Sequence, residues 1–287
     1  MVQIRAARRR LPLDEALATM RGGAFDGSPC MPIPLSRIDG MPPSSPYFPR
    51  PPARYRGMRA QTVLFRADPG RVADLLPECL TPAPDGACAA IGVDAPWSSH
   101  YGAFQAIVVA AGCQFEGRSG YYVVVQYVNS RGSIPAGREI WGTPKVWADM
   151  RVEQAERVMA TTASVGGVDI AAVRSTAYLP CEPADLPNLT PMWRLKVIPR
   201  ADGNGLDVLQ LVSGGRQGAD TVVHVSRAGD GVVEFRPSPV FDVMGLQPRE
   251  FTGAFYAESD FTEDFGVVDR DFLQEPWDGG PGMTDST

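Results

Sequence analysis

The segment Gly137-Arg138-Glu139-Ile140-Trp141-Gly142-Thr143-Pro144-Lys145 sets one lysine directly behind a loop sharpened by two glycines and a proline. Of the 27 basic residues only Lys145 and Lys196 are lysines, so arginine serves almost everywhere else that a positive charge is used. An amine can lose its proton and attack a carbonyl to give a Schiff base, whereas guanidinium stays charged and is not nucleophilic. The residues alone leave a second reading open, a solvated surface charge at a loop-to-strand junction. The nucleophilic reading carries a condition. An ordinary lysine, with a pKa near 10.4, is neutral in about one molecule in 2,500 at pH 7. Lowering that pKa requires burial or a nearby cation. Ile140, Trp141 and Val146 can supply the apolar wall, and Arg138 a secondary cation.

Gly-Arg-Glu-x-Trp-Gly-x-Pro-Lys resembles the signature of the acetoacetate decarboxylase superfamily, and the similarity runs in order over about residues 47–273. The resemblance implies that Lys145 carries the Schiff base, acetoacetate decarboxylase being an established example of a lysine activated by desolvation or a cationic neighbour. It also implies that Arg59, matched with one gap, contacts the substrate carboxylate, a task suited to the parallel hydrogen bonds of guanidinium. A surface arginine near a turn is the other reading. Pro191-Met-Trp-Arg-Leu-Lys-Val-Ile-Pro199 is similar to the family's Leu-Lys-x-Ile-Pro strand, which gives Lys196 a structural counterpart. Phe251-Thr-Gly-Ala-Phe-Tyr-Ala-Glu resembles a final helix-like stretch that closes on the cavity, where Tyr256 and Glu258 would act as acid/base or binding groups; with Asp260, Glu263 and Asp264 close by, a solvated acidic terminus is the other reading.

The chain departs from the family in three places. The two glutamates ahead of the lysine fall near Ala90 and at Gly102 or Ala103, and Val146 replaces the second lysine. Without those acids, proton delivery after loss of CO2 has no evident donor, and the chain looks more similar to the superfamily branch that lacks them, a resemblance that implies aldol, dehydration or cyclisation chemistry on a 2-oxo or 3-oxo acid. Decarboxylation of a β-keto acid and reversible binding without turnover remain as alternatives. His100, close to the second lost glutamate, is a candidate titratable or substrate-binding group, or a surface residue of a Ser-Ser-His-Tyr turn. Glu139 is either a proton shuttle or the partner of a structural ion pair. Trp141 walls the substrate site.

Around these residues the pattern predicts a β-rich α+β domain over residues 46–275, with a few flanking helices and, by the resemblance, a closed or conical barrel. Residues 61–66, 120–128, 146–153, 157–165, 168–179, 192–199 and 206–214 read as strands, residues 221–235 as a hairpin turning at Gly229-Asp230-Gly231, and residues 69–76 as a helix. Residues 1–45 read as a short helix (13–21) and a Pro/Gly-rich arm suited to wrapping a neighbouring subunit in a homo-oligomer, and residues 276–287 as a flexible tail.

A net charge of −6 leaves no footprint for nucleic acid, and no apolar run approaches a membrane span or signal sequence, so a cytoplasmic location is expected. Five cysteines without Cys-x-x-Cys spacing and two distant histidines argue against a metal site or a disulfide framework. A protonated imine supplies its own electrophile, so no cofactor is expected; the partner is a small oxo acid.

Overall fold

The computed structural model describes residues 32–214, 220–238, 241, 243–275 and 277. The helix expected over 13–21, Cys30 and the tail beyond 277 lie outside them. The chain forms two compact units, Met1–Pro46 and Tyr47–Thr287. Described residues of the first include one 3-10 turn, Leu35–Arg37.

The second unit is built from β1 (Ala53–Arg66), β2 (Thr81–Pro82), β3 (Ala87–Ala95), β4 (Trp97–Ser98), β5 (Phe104–Phe115), β6 (Arg118–Val128), β7 (Lys145–Trp147), β8 (Asp149–Ala155) and β9 (Val158–Val165). There follow β10 (Val168–Thr176), β11 (Leu179–Pro180), β12 (Met192–Pro199), β13 (Leu206–Gly214), β14 (Val222–Gly229), β15 (Gly231–Phe235), β16 (Glu250–Glu263) and β17 (Gly266–Asp271). The helices are short: α1 (Pro69–Ala73), capped by Asp68 accepting from the Gly70 and Arg71 amides, and α2 (Ser133–Ala136).

A 13-stranded sheet runs β11-β14-β16-β1-β3-β5-β6-β12-β13-β17, with β2, β4 and β7 paired beside β5, β1 and β6. A 4-stranded sheet runs β15-β10-β9-β8. Among the described residues no pairing joins β11 to β17, so the sheet is open and not the closed barrel that the resemblance suggested.

Because side chains alternate across a strand, each central strand supplies two cores. Val63 and Phe65 of β1, Ile107 and Val109 of β5, and Tyr127 of β6 pack toward Ala163, Ile170 and Val233 of the smaller sheet. Tyr55, Met58 and Ala60 of β1, Val93, Phe104, Val128 and Phe261 cover the opposite face. Between the sheets, fully buried Gln61 donates to Thr161 Oγ1 at 2.8 Å and to the Val173 carbonyl at 3.1 Å, and accepts from Ser175 Oγ at 2.7 Å. A Cβ on Gly92, opposite Gln61 in β3, would lie 2.6 Å from Thr161 Oγ1. Only glycine leaves room for this bridge. Replacing Gln61 by Leu orphans the bonded groups on both β9 and β10, and urea unfolding should show a loss of about 2–4 kcal/mol with an unchanged slope.

Three expectations are corrected by pairing. The stretch over 146–153 breaks at buried Ala148, β7 pairing with β6 and β8 with β9. The hairpin over 221–235 does not exist as such, because β14 pairs with β16 and β15 with β10. Gly229 lies where a Cβ would overlap the Thr176 carbonyl, so this turn is a corner between sheets. The final stretch is not helix-like: β16 is a central strand, bonded to β1 on one edge and β14 on the other.

Candidate active site

β6 shares one edge between two parallel partners. Met192 and Trp193 of β12 align with Tyr121 and Tyr122, and Lys145–Trp147 of β7 align with Gln126–Val128. The edge between these contacts opens where β12 turns from β6 to β13 at Arg194 and Lys145 enters β7.

The loop that delivers Lys145 is tightly constrained. α2 continues into a π-helical turn over Gly137–Trp141, ended by Gly142 at φ 72°, a left-handed conformation that glycine adopts freely. A Cβ on Gly142 would lie 2.4 Å from the Lys196 Cα, so β12 backbone closes directly over the loop. Trp141 is buried against Phe48 and Ala136, and its indole donates to the Asp264 carbonyl at 3.1 Å. It braces the turn.

Lys145 is half-buried, and its Nζ donates to Ser133 Oγ at 2.6 Å and to the Ser133 carbonyl at 3.0 Å. Its aliphatic chain lies on Gly137, where a Cβ would sit 2.6 Å from both Cδ and Cε. Burial lowers the Lys145 pKa from 10.5 to about 8, with Glu263 opposing the shift and Arg194 adding to it. At pH 7 about one molecule in ten would carry the neutral amine, against about one in 3,000 at the ordinary value. Desolvation dominates, as expected, but the secondary cation is Arg194 of β12. Arg138 is exposed and donates to the Lys145 carbonyl at 3.3 Å.

Glu263, the last residue of β16, shares the Phe261 face and accepts from Tyr55 Oη at 2.7 Å. Its charge also acts on Arg194 and on Tyr101, whose hydroxyl pKa is raised by burial first and by Glu263 second. Since Glu263 favours the protonated amine, Glu263→Gln should move the pH midpoint of Lys145 modification below that of the wild type, read by rate of borohydride trapping against pH. An unmoved midpoint would show that the carboxylate is not coupled to the amine.

Sequence reasoning missed Ser133, Arg194, Glu263, Tyr55 and Tyr101. A usable signal existed for Arg194, a cation set in the apolar run Met192, Trp193, Leu195 and Val197 with Lys196 two residues on. For Glu263 the signal was masked by its acidic neighbours.

The other candidates lie elsewhere. Arg59 shares the parity of Gln61 and Val63 and so faces the smaller sheet, bonded to Asp94 at 2.6 Å and to Gln154 Oε1 at 3.1 Å. Tyr256 accepts from Gln154 at 3.4 Å and, with Glu258 and Arg227, lines a cavity of about 470 Å³ on that same side. The pleat therefore separates Arg59, Tyr256 and Glu258 from Lys145. On β1 it is Met58 that packs into the core of the Lys145 face. His100 bridges Ser99 Oγ at 2.8 Å and the Arg50 carbonyl at 2.7 Å in a surface turn. Glu139 is exposed in a cleft of about 530 Å³ between the loop and β12, where its charge acts on Lys196. Near Ala90 and Gly102, where the resemblance expects glutamates, β3 instead carries Asp94, engaged with Arg59.

Comparison with known proteins bears on this lysine-centred site. The acetoacetate decarboxylase family matches residues 31–273. The chain belongs to the acetoacetate decarboxylase family. Acetoacetate decarboxylase of Chromobacterium violaceum is 27% identical over 215 residues, covering 73% of this chain and 85% of that protein. Acetoacetate decarboxylase 1 of Bradyrhizobium diazoefficiens is 26% identical over 212 residues, covering 72% and 83%. The crystal structure of acetoacetate decarboxylase from Legionella pneumophila superposes with a TM-score of 0.75 at 21% identity, covering 86% of this chain and 99% of that one. The enduracididine biosynthesis enzyme MppR complexed with pyruvate superposes with a TM-score of 0.69 at 18% identity, covering 81% and 97%. Both superpositions speak to the β-rich family fold. No helix among the described residues is long and apolar enough to cross a membrane.

Proposed function

We propose that this acetoacetate decarboxylase family member is an imine-forming lyase acting on a small oxo acid, with Lys145 as its nucleophile. The observation that carries the reading is a desolvated amine with a pKa near 8, bonded to Ser133 and held on Gly137. Neutral Nζ adds to the substrate carbonyl carbon, and the C=O π pair moves to oxygen, which takes a proton to give a carbinolamine. Expulsion of that oxygen as water leaves the protonated imine. Glu263, whose charge acts on the amine, would carry these protons. The imine then withdraws electrons from the adjacent C–H or C–C bond. Loss of a proton gives an enamine that can add to an aldehyde and then lose water. Loss of CO2 from a 3-oxo acid is the second reading, favoured by the names of the curated relatives.

The first reading is preferred because neither expected glutamate position is acidic. MppR has also been solved with the condensation product of pyruvate and imidazole 4-carboxaldehyde, a condensation of the kind proposed here.

Incubation with pyruvate or acetoacetate, borohydride reduction and peptide mapping tests the reading, with Lys196 as internal comparison. An adduct on Lys145 alone is expected, and Tyr256→Phe, across the sheet from the amine, should leave its rate unchanged. Saturable acid binding without an adduct would favour a non-catalytic binding protein.

A further inference from the structure

We propose that Arg194 anchors the carboxylate of a 2-oxo acid and that this carboxylate is retained through the reaction; the inference rests on the imine reading of Lys145. Arg194 is a half-buried cation whose Nε is fully enclosed, with no ion-pair partner among the described residues. Its Nη1 donates to the carbonyls of Met192, at 3.2 Å, and Gly214, both neutral acceptors. Its Nε is buried with no hydrogen-bond partner, and among the described residues no carboxylate lies within ion-pairing distance. Glu263 influences it only through the longer-range field. A desolvated, unpartnered guanidinium donor is unfavourable unless a ligand completes it, and a carboxylate accepts from guanidinium with the required geometry.

A second buried donor points to the same place. The Tyr101 hydroxyl has no partner either, and it lies with Lys145 and Arg194 in the field of Glu263. Arg194 Nε and Tyr101 Oη are thus two buried, unpartnered donors that share with Lys145 the field of Glu263, a set suited to a ligand carrying both a carbonyl and an anionic group. Arg59, which the resemblance assigned to this task, is already paired with Asp94 on the far side of the sheet.

The position of the cation also bears on the bond that breaks. In decarboxylation the carboxylate loses its charge on the way to CO2. A desolvated arginine gripping it stabilises the starting acid more than the transition state, which slows that step. A 2-oxo acid keeps its carboxylate through enamine formation, addition and dehydration, so the same grip is available throughout. The geometry therefore fits a pyruvate-like 2-oxo acid better than a 3-oxo acid that must lose CO2.

The test compares pyruvate with its uncharged counterpart pyruvamide, using the full chain and borohydride trapping on Lys145. In the wild type, half-maximal trapping should need at least about 30-fold less pyruvate than pyruvamide. In Arg194→Met that ratio should collapse to about fivefold or less, the range of a screened charge effect. An unchanged ratio overturns the assignment, as does CO2 release from acetoacetate faster than imine trapping with pyruvate. Oxamate, which carries the carboxylate but no reactive ketone, separates this failure from that of the imine reading. If no carbonyl compound is trapped yet oxamate raises the Tm of the wild type and not of Arg194→Met, the anchor stands and the nucleophile is wrong. If oxamate shifts neither protein, the anchor is wrong. Should Arg194→Met fail to fold, Arg194→Lys keeps a cation without the guanidinium fork, and a ratio as high as the wild type's would reject the anchor.

Discussion

Lys145→Arg should abolish borohydride-dependent labelling and reduce turnover of any oxo acid by at least about a thousand-fold, because guanidinium keeps charge and reach but cannot attack a carbonyl. In the wild type, the trapping rate should rise with pH to a midpoint near the Lys145 value of about 8. A midpoint near 10 would mean the amine is an ordinary solvated lysine. The same shift makes a prediction about stability. Burial disfavours the charged amine in the folded chain, so between about pH 8 and the ordinary 10.5 the unfolded chain binds more protons and stability rises with pH. Below the folded value the full penalty is present. Lys145→Met should consequently be more stable than the wild type at pH 7, by at most about 3 kcal/mol because a half-buried chain keeps some solvent screening. The advantage should vanish above pH 10.5. Urea unfolding of both proteins across this range measures it, and a less stable Lys145→Met at pH 7 would remove the desolvation account.

Gly137→Ala should move activity and stability in opposite directions. Gly137 has ordinary right-handed helical angles, φ −62° and ψ −41°, so alanine fits the backbone and should raise helical stability by up to about 1 kcal/mol. The added Cβ, however, would lie 2.6 Å from Lys145 Cδ and Cε and 2.9 Å from Nζ. A flexible lysine can move aside at little cost to the fold, but the amine then leaves Ser133. A displacement of about 1 Å at a reacting group costs roughly a hundred-fold in rate. The expected result is trapping slowed to that degree with an unchanged or higher Tm. Slower trapping together with a lower Tm would mean that Gly137 serves the fold and not the placement of the amine. Gly142 contrasts with it, because a Cβ there meets backbone of β12 that cannot swing away, so Gly142→Ala should fail by misfolding.

The sequence by itself determined the family, the nucleophile candidate and most of the strands. Two lysines against many arginines, set behind a Gly-x-Pro turn, are a local chemical signal that needs no partner to be read. Strand identity follows from local composition, β-branched and aromatic runs bounded by turn residues, which is why residues 120–128 and 206–214 lie in β6 and β13 and all but the first of 157–165 lie in β9. The tertiary structure decided which side of each strand meets the lysine. The pleat turns successive side chains to opposite faces, so a match one residue out in β1 puts Arg59 against the smaller sheet and Met58 on the Lys145 face. It also decided strand partners. A Gly-Asp-Gly turn suits a hairpin locally, but β14 and β15 separate because each finds its hydrogen bonds on a different sheet. Arg194 and Glu263 come to Lys145 from strands 49 and 118 residues further along, by subtraction of their positions. Only pairing of β12 with β6 and of β16 with β1 brings them near, and no local pattern encodes such long-range pairing.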